Sequence, residues 1–274
     1  MPLESRMMQV MAYRWISFTT DYGLRDGFVA ACHGIIARVA PDVRVLDVTH
    51  LVPPQQVRHG AAVLAQTVPY LPKAVHLAVV DPGVGTARRG VVVVAAHGLL
   101  VGPDNGLLVP AAEALGGVAA AYVINGPEPA SATFHGRDVF APAAARLARG
   151  DAPASFGPAV PDLVRLPDPL VAALPGKLVS DVLTVDHFGN VQLAATRADL
   201  ELSGLTGTVT VHTERLAVPA EVGRTFADVP VGANLVYPDS AGRLAVAVNG
   251  GSASAVLGLS PTDECTITAS PTAS

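Results

Sequence analysis

The chain has 274 residues, is half hydrophobic and 15% charged, and carries a formal net charge of -5 with only two lysines, Lys73 and Lys177. That length holds one large domain or two smaller ones, either way with a sizeable buried core. A net negative charge with so few lysines argues against a nucleic-acid surface, which needs clustered Lys and Arg, and no unbroken apolar run reaches the roughly 18–20 residues of a membrane span.

Residues 1–15 hold four methionines but no apolar h-region behind a basic start, so they are expected to be a disordered leader rather than a signal peptide. A cytoplasmic location follows as the expectation. Residues 16–19 predict a strand that runs into the corner Thr20-Asp21-Tyr22-Gly23. Helical spacing over 27–39 stops at Pro41. A strand is expected at 43–48, a helix at 57–68, and a strand at 75–80 ending on Asp81-Pro82-Gly83. The apolar stretches 74–80 and 90–101 predict buried strands. Strands alternating with helices imply a mostly parallel sheet with helices on both faces. Ligands sit at the carboxyl ends of such strands, where Asp21, Thr49-His50 and Asp81 all fall.

Residues 151–175 hold six prolines and read as a linker closing an N-terminal α/β domain of residues 16–150. From 176 to 274 short strands are expected at 177–185, 190–193, 208–211, 234–237, 243–248 and 264–268, separated by Gly, Asp and Pro turns. This is the pattern of a small antiparallel β-barrel domain. Cys32 and Cys265 flank no CxxC motif and read as free thiols.

Several short motifs carry polar groups in this apolar chain. In Asp81-Pro82-Gly83-Val84-Gly85-Thr86-Ala87-Arg88, two glycines allow a tight loop across which Asp81 and Arg88 can face each other. The loop lacks the Gly-Lys-Ser/Thr ending of a phosphate loop; a surface ion pair on a turn would look the same. Thr133-Phe134-His135-Gly136-Arg137-Asp138 sets a histidine between an aromatic and Gly-Arg-Asp. Gly102-Pro103-Asp104-Asn105-Gly106 and Asp186-His187-Phe188-Gly189-Asn190 are each compatible with simple turns. His50, His59 and His135 lack zinc-site spacing, so no metal is expected.

Together and in this order, with Asp47-Val48-Thr49-His50 and Asp239-Ser240-Ala241-Gly242-Arg243, these motifs identify a family. The chain resembles the adenosine-forming S-adenosylmethionine (SAM) hydrolases, or SAM hydroxide adenosyltransferases, relatives of the bacterial fluorinase and chlorinase. The resemblance covers nearly the whole chain from Ile16. It implies hydrolysis of SAM to adenosine and L-methionine by water attacking ribose C5′, without cofactor or metal. It also implies a homotrimer whose sites lie between the N-terminal domain of one subunit and the C-terminal domain of the next. A water-activating triad would fall on Asp81, Arg88 and His135, with the formal base left open. Asp21 matches the acid that grips the ribose hydroxyls. Asn190 and the backbone near Val248 and Gly250 match adenine-reading positions, with Phe188 and Phe226 as ring partners. Asp186 and Ser240 match positions at the methionine end, and Gln55 and Phe134 complete the substrate-binding set.

Two alternatives belong to other classes: a SAM-dependent halogenase and a non-catalytic SAM- or adenosine-binding module. The halogenating relatives carry tyrosines where this chain has Asp81 and His135, and the fluorinase a serine at Gly136. A binding module would have no need of Asp81, Arg88 and His135 together.

Overall fold

The computed structural model describes residues 13–126 and 128–270, so residues 1–12 of the expected leader lie outside them. The chain divides into two compact units between Leu166 and Pro167.

Buried, β-branched runs build the first unit. In chain order it contains β1 (Trp15–Thr20), α1 (Phe28–Val39), β2 (Arg44–Thr49), α2 (Val57–Thr67), β3 (Val75–Val79), β4 (Gly90–Ala95), β5 (Gly98–Pro103), α3 (Val109–Ala114), β6 (Val118–Val123) and α4 (Ala141–Ala148). The strand order is β2-β1-β3-β5-β4-β6. Pairs β1–β2, β1–β3 and β3–β5 are parallel, whereas β4 runs antiparallel to both β5 and β6. Residues 90–101 therefore form most of a hairpin that turns at Ala96-His97. Every residue of β3 is buried, as a strand covered on both faces requires. Its alternate side chains point opposite ways: Val75, Leu77 and Val79 pack with α1 and α4, while Ala78 packs with α2 and α3.

Two expectations need correction here. Tyr13 and Trp15, placed in the leader, belong to the fold: Tyr13 N–H donates to Ala148 O at 2.8 Å, and Trp15 opens β1. The stretch 151–175 is no free linker. Phe156 and Val160 are buried in the first unit's core clusters, and Asp162 joins Asp104 in binding Arg89.

The second unit contains β7 (Val171–Leu174), β8 (Lys177–Val185), β9 (Val191–Thr196), α5 (Arg197–Ser203), β10 (Thr208–His212), β11 (Ala217–Val222), β12 (Asn234–Pro238), β13 (Arg243–Val248), α6 (Ala253–Leu257) and β14 (Glu264–Ala269). The order β14-β10-β11-β12-β13-β9-β8 closes through β14–β8 pairing into a barrel, and β7 adds to β8 outside it. Pairing is antiparallel except between β11 and β12. Leu178, Val191, Leu193, Val209, Val211, Val236, Leu244, Val246 and Ile267 fill the interior. Cys32 and Cys265 are buried free thiols, one in each unit.

Candidate active site

In the first unit the carboxyl ends of β1, β2 and β3 each release a polar residue, and the start of antiparallel β4 returns to the same end of the sheet. After β3, the chain turns through Asp81-Pro82-Gly83. Val84 N–H donates to Asp81 O, Thr86 N–H to Gly83 O, and the Thr86 hydroxyl to the same carbonyl at 2.7 Å. Gly85 is required twice over. Its φ is +77°, and a Cβ there would stand 2.9 Å from Ala132 O. The folded loop sets Arg88 against Asp81.

The guanidinium grips the carboxylate at both oxygens, Nε to Oδ1 at 3.1 Å and Nη2 to Oδ2 at 2.6 Å. The same Nη2 lies 3.0 Å from His135 Nδ1. Nη1 donates to Arg89 O at 3.1 Å, and the Arg88 carbon stands 5.2 Å from the centre of the Phe140 ring. Both partners are withdrawn from solvent, with side-chain exposures of 9% for Arg88 and 6% for Asp81. Burial pushes the Asp81 carboxyl above its ordinary value against the pull of Arg88. Burial, and then the Arg88 charge, push His135 below the ordinary histidine range. Because arginine only donates, the Nδ1 of His135 must be its lone-pair nitrogen, so the neutral ring carries its proton on Nε2. The three residues picked from two motifs 47 positions apart are thus one contiguous group.

His135 itself enters a five-residue π turn, Gly136–Phe140, that leads into α4. Such turns recur at functional sites. Asp138 secures the approach by accepting Ser131 N–H at 2.8 Å and a bidentate pair from Arg137, whose guanidinium lies 4.9 Å over the Phe134 ring.

Asp21 follows β1. Its Oδ2 accepts the Gln55 N–H at 2.8 Å, and Gln55 holds a left-handed φ of +65°. What ties Gln55 to the site is its backbone, while its side chain is exposed. His50 braces the loop: its Nδ1 lies 2.9 Å from Thr20 Oγ1, which also accepts Tyr22 N–H, and its carbonyl accepts Gly23 N–H at 2.7 Å. His33 and His50 both bring Nε2 to Asp47, at 2.8 and 3.0 Å. Asn105 Nδ2 donates to Val80 O at 2.8 Å and so holds the residue before Asp81; the Gly-Pro-Asp-Asn-Gly motif is a structural brace.

One aromatic group escaped the sequence reading. Tyr22, Phe28 and Phe134 stack edge to face, with centroids 5.2–6.1 Å apart. Tyr22 stands inside a motif singled out for its aspartate, and local spacing carries no sign that its ring reaches residues 134 and 136.

In the second unit the remaining expected residues fall on two neighbouring turns, on the β11–β12 connection and at the end of β13. Asp186 closes the β8–β9 turn: Oδ1 accepts Phe188 N–H and Asn190 N–H, both at 2.9 Å, and Oδ2 accepts Asn190 Nδ2 at 2.7 Å. Asp186 therefore shapes the turn that presents Asn190. Gly189, with φ of +84°, packs so closely on Ser252 that a Cβ would lie 2.0 Å from its Oγ. Phe188 is 76% exposed at the tip. Phe226 stacks on Tyr237 at 5.3 Å. Burial first, then Asp186 and Asp239, raise the Tyr237 pKa. Tyr237, another residue the motifs did not signal, thereby adjoins Phe226 and both turns. Ser240 is exposed in the β12–β13 turn, which Asp239 organises by accepting the Ala241 and Arg243 N–H groups, each at 2.9 Å. Val248 ends β13, and Gly250 follows with φ of +76°.

Comparison with known proteins gives a consistent picture. Residues 16–157 match the family described as SAM hydroxide adenosyltransferase N-terminal domain, and residues 180–266 its C-terminal domain. The (R)-S-adenosyl-L-methionine hydrolase of Salinispora arenicola is 62% identical over 93% of this chain and 98% of its own. The fluorinase of an Actinoplanes species is more distant, at 31% over 85% of this chain and 90% of its own. An uncharacterized conserved protein of Thermotoga maritima has a solved structure that superposes with a TM-score of 0.86 at 38% identity, covering 92% of this chain and 99% of that one.

Proposed function

The chain belongs to the SAM hydroxide adenosyltransferase family, and from that premise we propose that it hydrolyses SAM to adenosine and L-methionine by attack of water on ribose C5′. The observation that carries this reading is the contiguous Asp81–Arg88–His135 group, its ion pair withdrawn from solvent, at the carboxyl end of a parallel-rich sheet. The substrate is a sulfonium, so the C5′–S bond breaks with its electron pair returning to sulfur, and a neutral thioether departs without a general acid. The enzyme's task is to align a water opposite sulfur and take its proton.

Arg88 supplies the fixed cation that favours hydroxide over water. The tautomer set by Arg88 makes His135 Nε2 a donor, which leaves Asp81, its basicity raised by burial, as the acceptor of the water's proton. As the new C5′–O bond forms, that proton passes to the carboxylate and then to solvent. Asp21, held by Gln55 N–H, fixes the ribose hydroxyls and so the direction of C5′. Asn190 and the Val248–Gly250 backbone read adenine, Phe188 and Phe226 pack its ring, Phe134 lines the ribose side, and Ser240 meets the methionine end beside the Asp186 turn. No cofactor or metal takes part.

The reading extends to assembly and location. The site-bearing residues fall on both units, which suits a cytoplasmic homotrimer with sites shared between subunits. The solution mass should then approach three times the 28.0 kDa chain; a fully active monomer would overturn the shared site.

Chromatography of SAM incubated with the protein in molar chloride tests the reaction. Asp81 places negative charge beside the nucleophile and repels halide, so adenosine is the expected nucleoside product. Accumulation of 5′-chloro-5′-deoxyadenosine would make the enzyme a halogenase, and an unchanged substrate would make it a binding module.

A further inference from the structure

Gly136 poses a question that its backbone does not answer. It stands in a helical turn without a positive φ, where glycine costs about 1 kcal/mol relative to alanine. The reason for a glycine lies in Tyr22. A Cβ built on Gly136 would stand 1.9 Å from the Tyr22 Oη and 2.9 Å from its Cζ, so the phenol occupies the space that any side chain at 136 would need.

Tyr22 does not sit there loosely. Its ring is fixed edge-on between Phe28 and Phe134, at centroid distances of 6.1 and 5.8 Å. Its N–H is held by Thr20 Oγ1, itself bonded to the buried His50. The charges that act on the phenol include Asp21, Asp81 and Arg88, that is, the proposed ribose acid and two members of the triad. Burial above all, with Cys32, Asp21 and Asp81 adding, raises its pKa and keeps the proton on oxygen. The hydroxyl is thus a fixed donor and acceptor packed on Gly136, the residue next to His135, and carried by the residue next to Asp21.

We propose that Tyr22 is a further catalytic residue of this site: its hydroxyl hydrogen-bonds the attacking water and, by filling the space over Gly136, sets the size of the nucleophile's position. This rests on the hydrolase reading and deepens it. A water attacking C5′ uses one lone pair for the new bond, takes the His135 Nε2–H on its second, and gives one proton toward Asp81, which leaves its other O–H in need of an acceptor. The Tyr22 Oη supplies that acceptor, and the line of attack on C5′ is then defined from two sides. Gly136 is glycine so that this phenol can stand where it does.

The test is a double-mutant cycle with Tyr22→Phe and Gly136→Ala, reading kcat and KM for SAM, adenosine affinity and melting temperature. Tyr22→Phe keeps the ring contacts, so adenosine affinity, KM and melting temperature should hold while kcat falls about 10-fold or more, the scale of one hydrogen bond to a charged transition state. Gly136→Ala should lower kcat similarly by displacing the phenol. In the double variant the two losses should not multiply, because the hydroxyl that the alanine displaces is already gone. Wild-type kcat in Tyr22→Phe, or fully multiplicative losses in the double variant, would overturn the proposal. Tyr22→Phe remains decisive if Gly136→Ala does not fold. The wild-type enzyme in the same assay separates the two levels of the account. Turnover there with an unimpaired Tyr22→Phe refutes only the role of Tyr22, whereas no turnover refutes the hydrolase reading and this inference with it.

Discussion

Removing the Arg88 guanidinium while leaving Asp81 in place should destabilise the protein more than removing both. In Arg88→Met, a carboxylate with 6% side-chain exposure loses donors at 3.1 and 2.6 Å together with the guanidinium charge that compensates it. Orphaning one partner of a buried ion pair costs about 3–5 kcal/mol. Spread over a unit of about 166 residues, that corresponds to roughly 6–20 °C in melting temperature. The double variant Asp81→Leu/Arg88→Met buries no charge and should melt above the single one, although both are inactive. The loss should also depend on pH in a determined direction. Without Arg88 the buried Asp81 holds its proton more tightly folded than unfolded, so the folded state gains relative stability as pH falls and the deficit shrinks toward pH 5. Thermal melts of wild type and both variants at pH 5 and pH 8 measure this. A double variant that melts at or below Arg88→Met, or a deficit that does not shrink at pH 5, would refute the description of Asp81–Arg88 as a buried, charge-compensated pair.

Two further outcomes follow from burial of ionisable groups. On the proposed mechanism Asp81 must be ionised and His135 neutral; since burial raises the Asp81 carboxyl and lowers His135, the acid limb of kcat/KM should lie above the ordinary carboxylate value of 3.8. A pH–rate profile whose acid limb lies at or below 3.8 would contradict the assignment. His76, 1% exposed and bonded to Ser17 Oγ at 2.7 Å, is pushed by burial to about 4. A histidine that resists protonation when folded stabilises fully above its unfolded value and loses that contribution as pH falls through 6.5 toward 4, here up to about 3 kcal/mol. Urea unfolding at pH 7 and pH 4 should show part of the acid loss vanish in His76→Gln; an identical loss in the variant would refute it.

How much of this was legible in the sequence depends on what each signal measures. Strands β8 and β13 begin and end where they were expected because Gly176, Asp186 and Gly242 bound them. Strand β11 was missed because Pro219 and Glu221 interrupt its apolar pattern, yet Pro219 is accommodated opposite Thr210 in the barrel. Strand β6, Val118–Val123, is alanine-rich and weak in β-branched residues, so only its pairing with β4 defines it. The proline-rich stretch after Gly150 looked like a linker because prolines punctuate it, but composition is blind to Phe156 entering the core at 2% exposure. Near the candidate site, the Asp81–Arg88 pairing was legible because the two residues flank a glycine-bearing loop, whereas the approach of His135 to them came only from the family resemblance. Tyr22 and Tyr237 were not, since what they do depends on rings meeting residues far along the chain, a contact that no local spacing encodes.

The most direct test of the central claim is to run the reaction in ¹⁸O-water and weigh the nucleoside product. Displacement at C5′ by a water held between Asp81, Arg88 and His135 places the label on the 5′-oxygen, so adenosine should be heavier by one ¹⁸O and methionine unlabelled. Free adenine, unlabelled adenosine, or label appearing only in the methionine fragment would mean that a different bond is cleaved and that this group does not aim water at C5′.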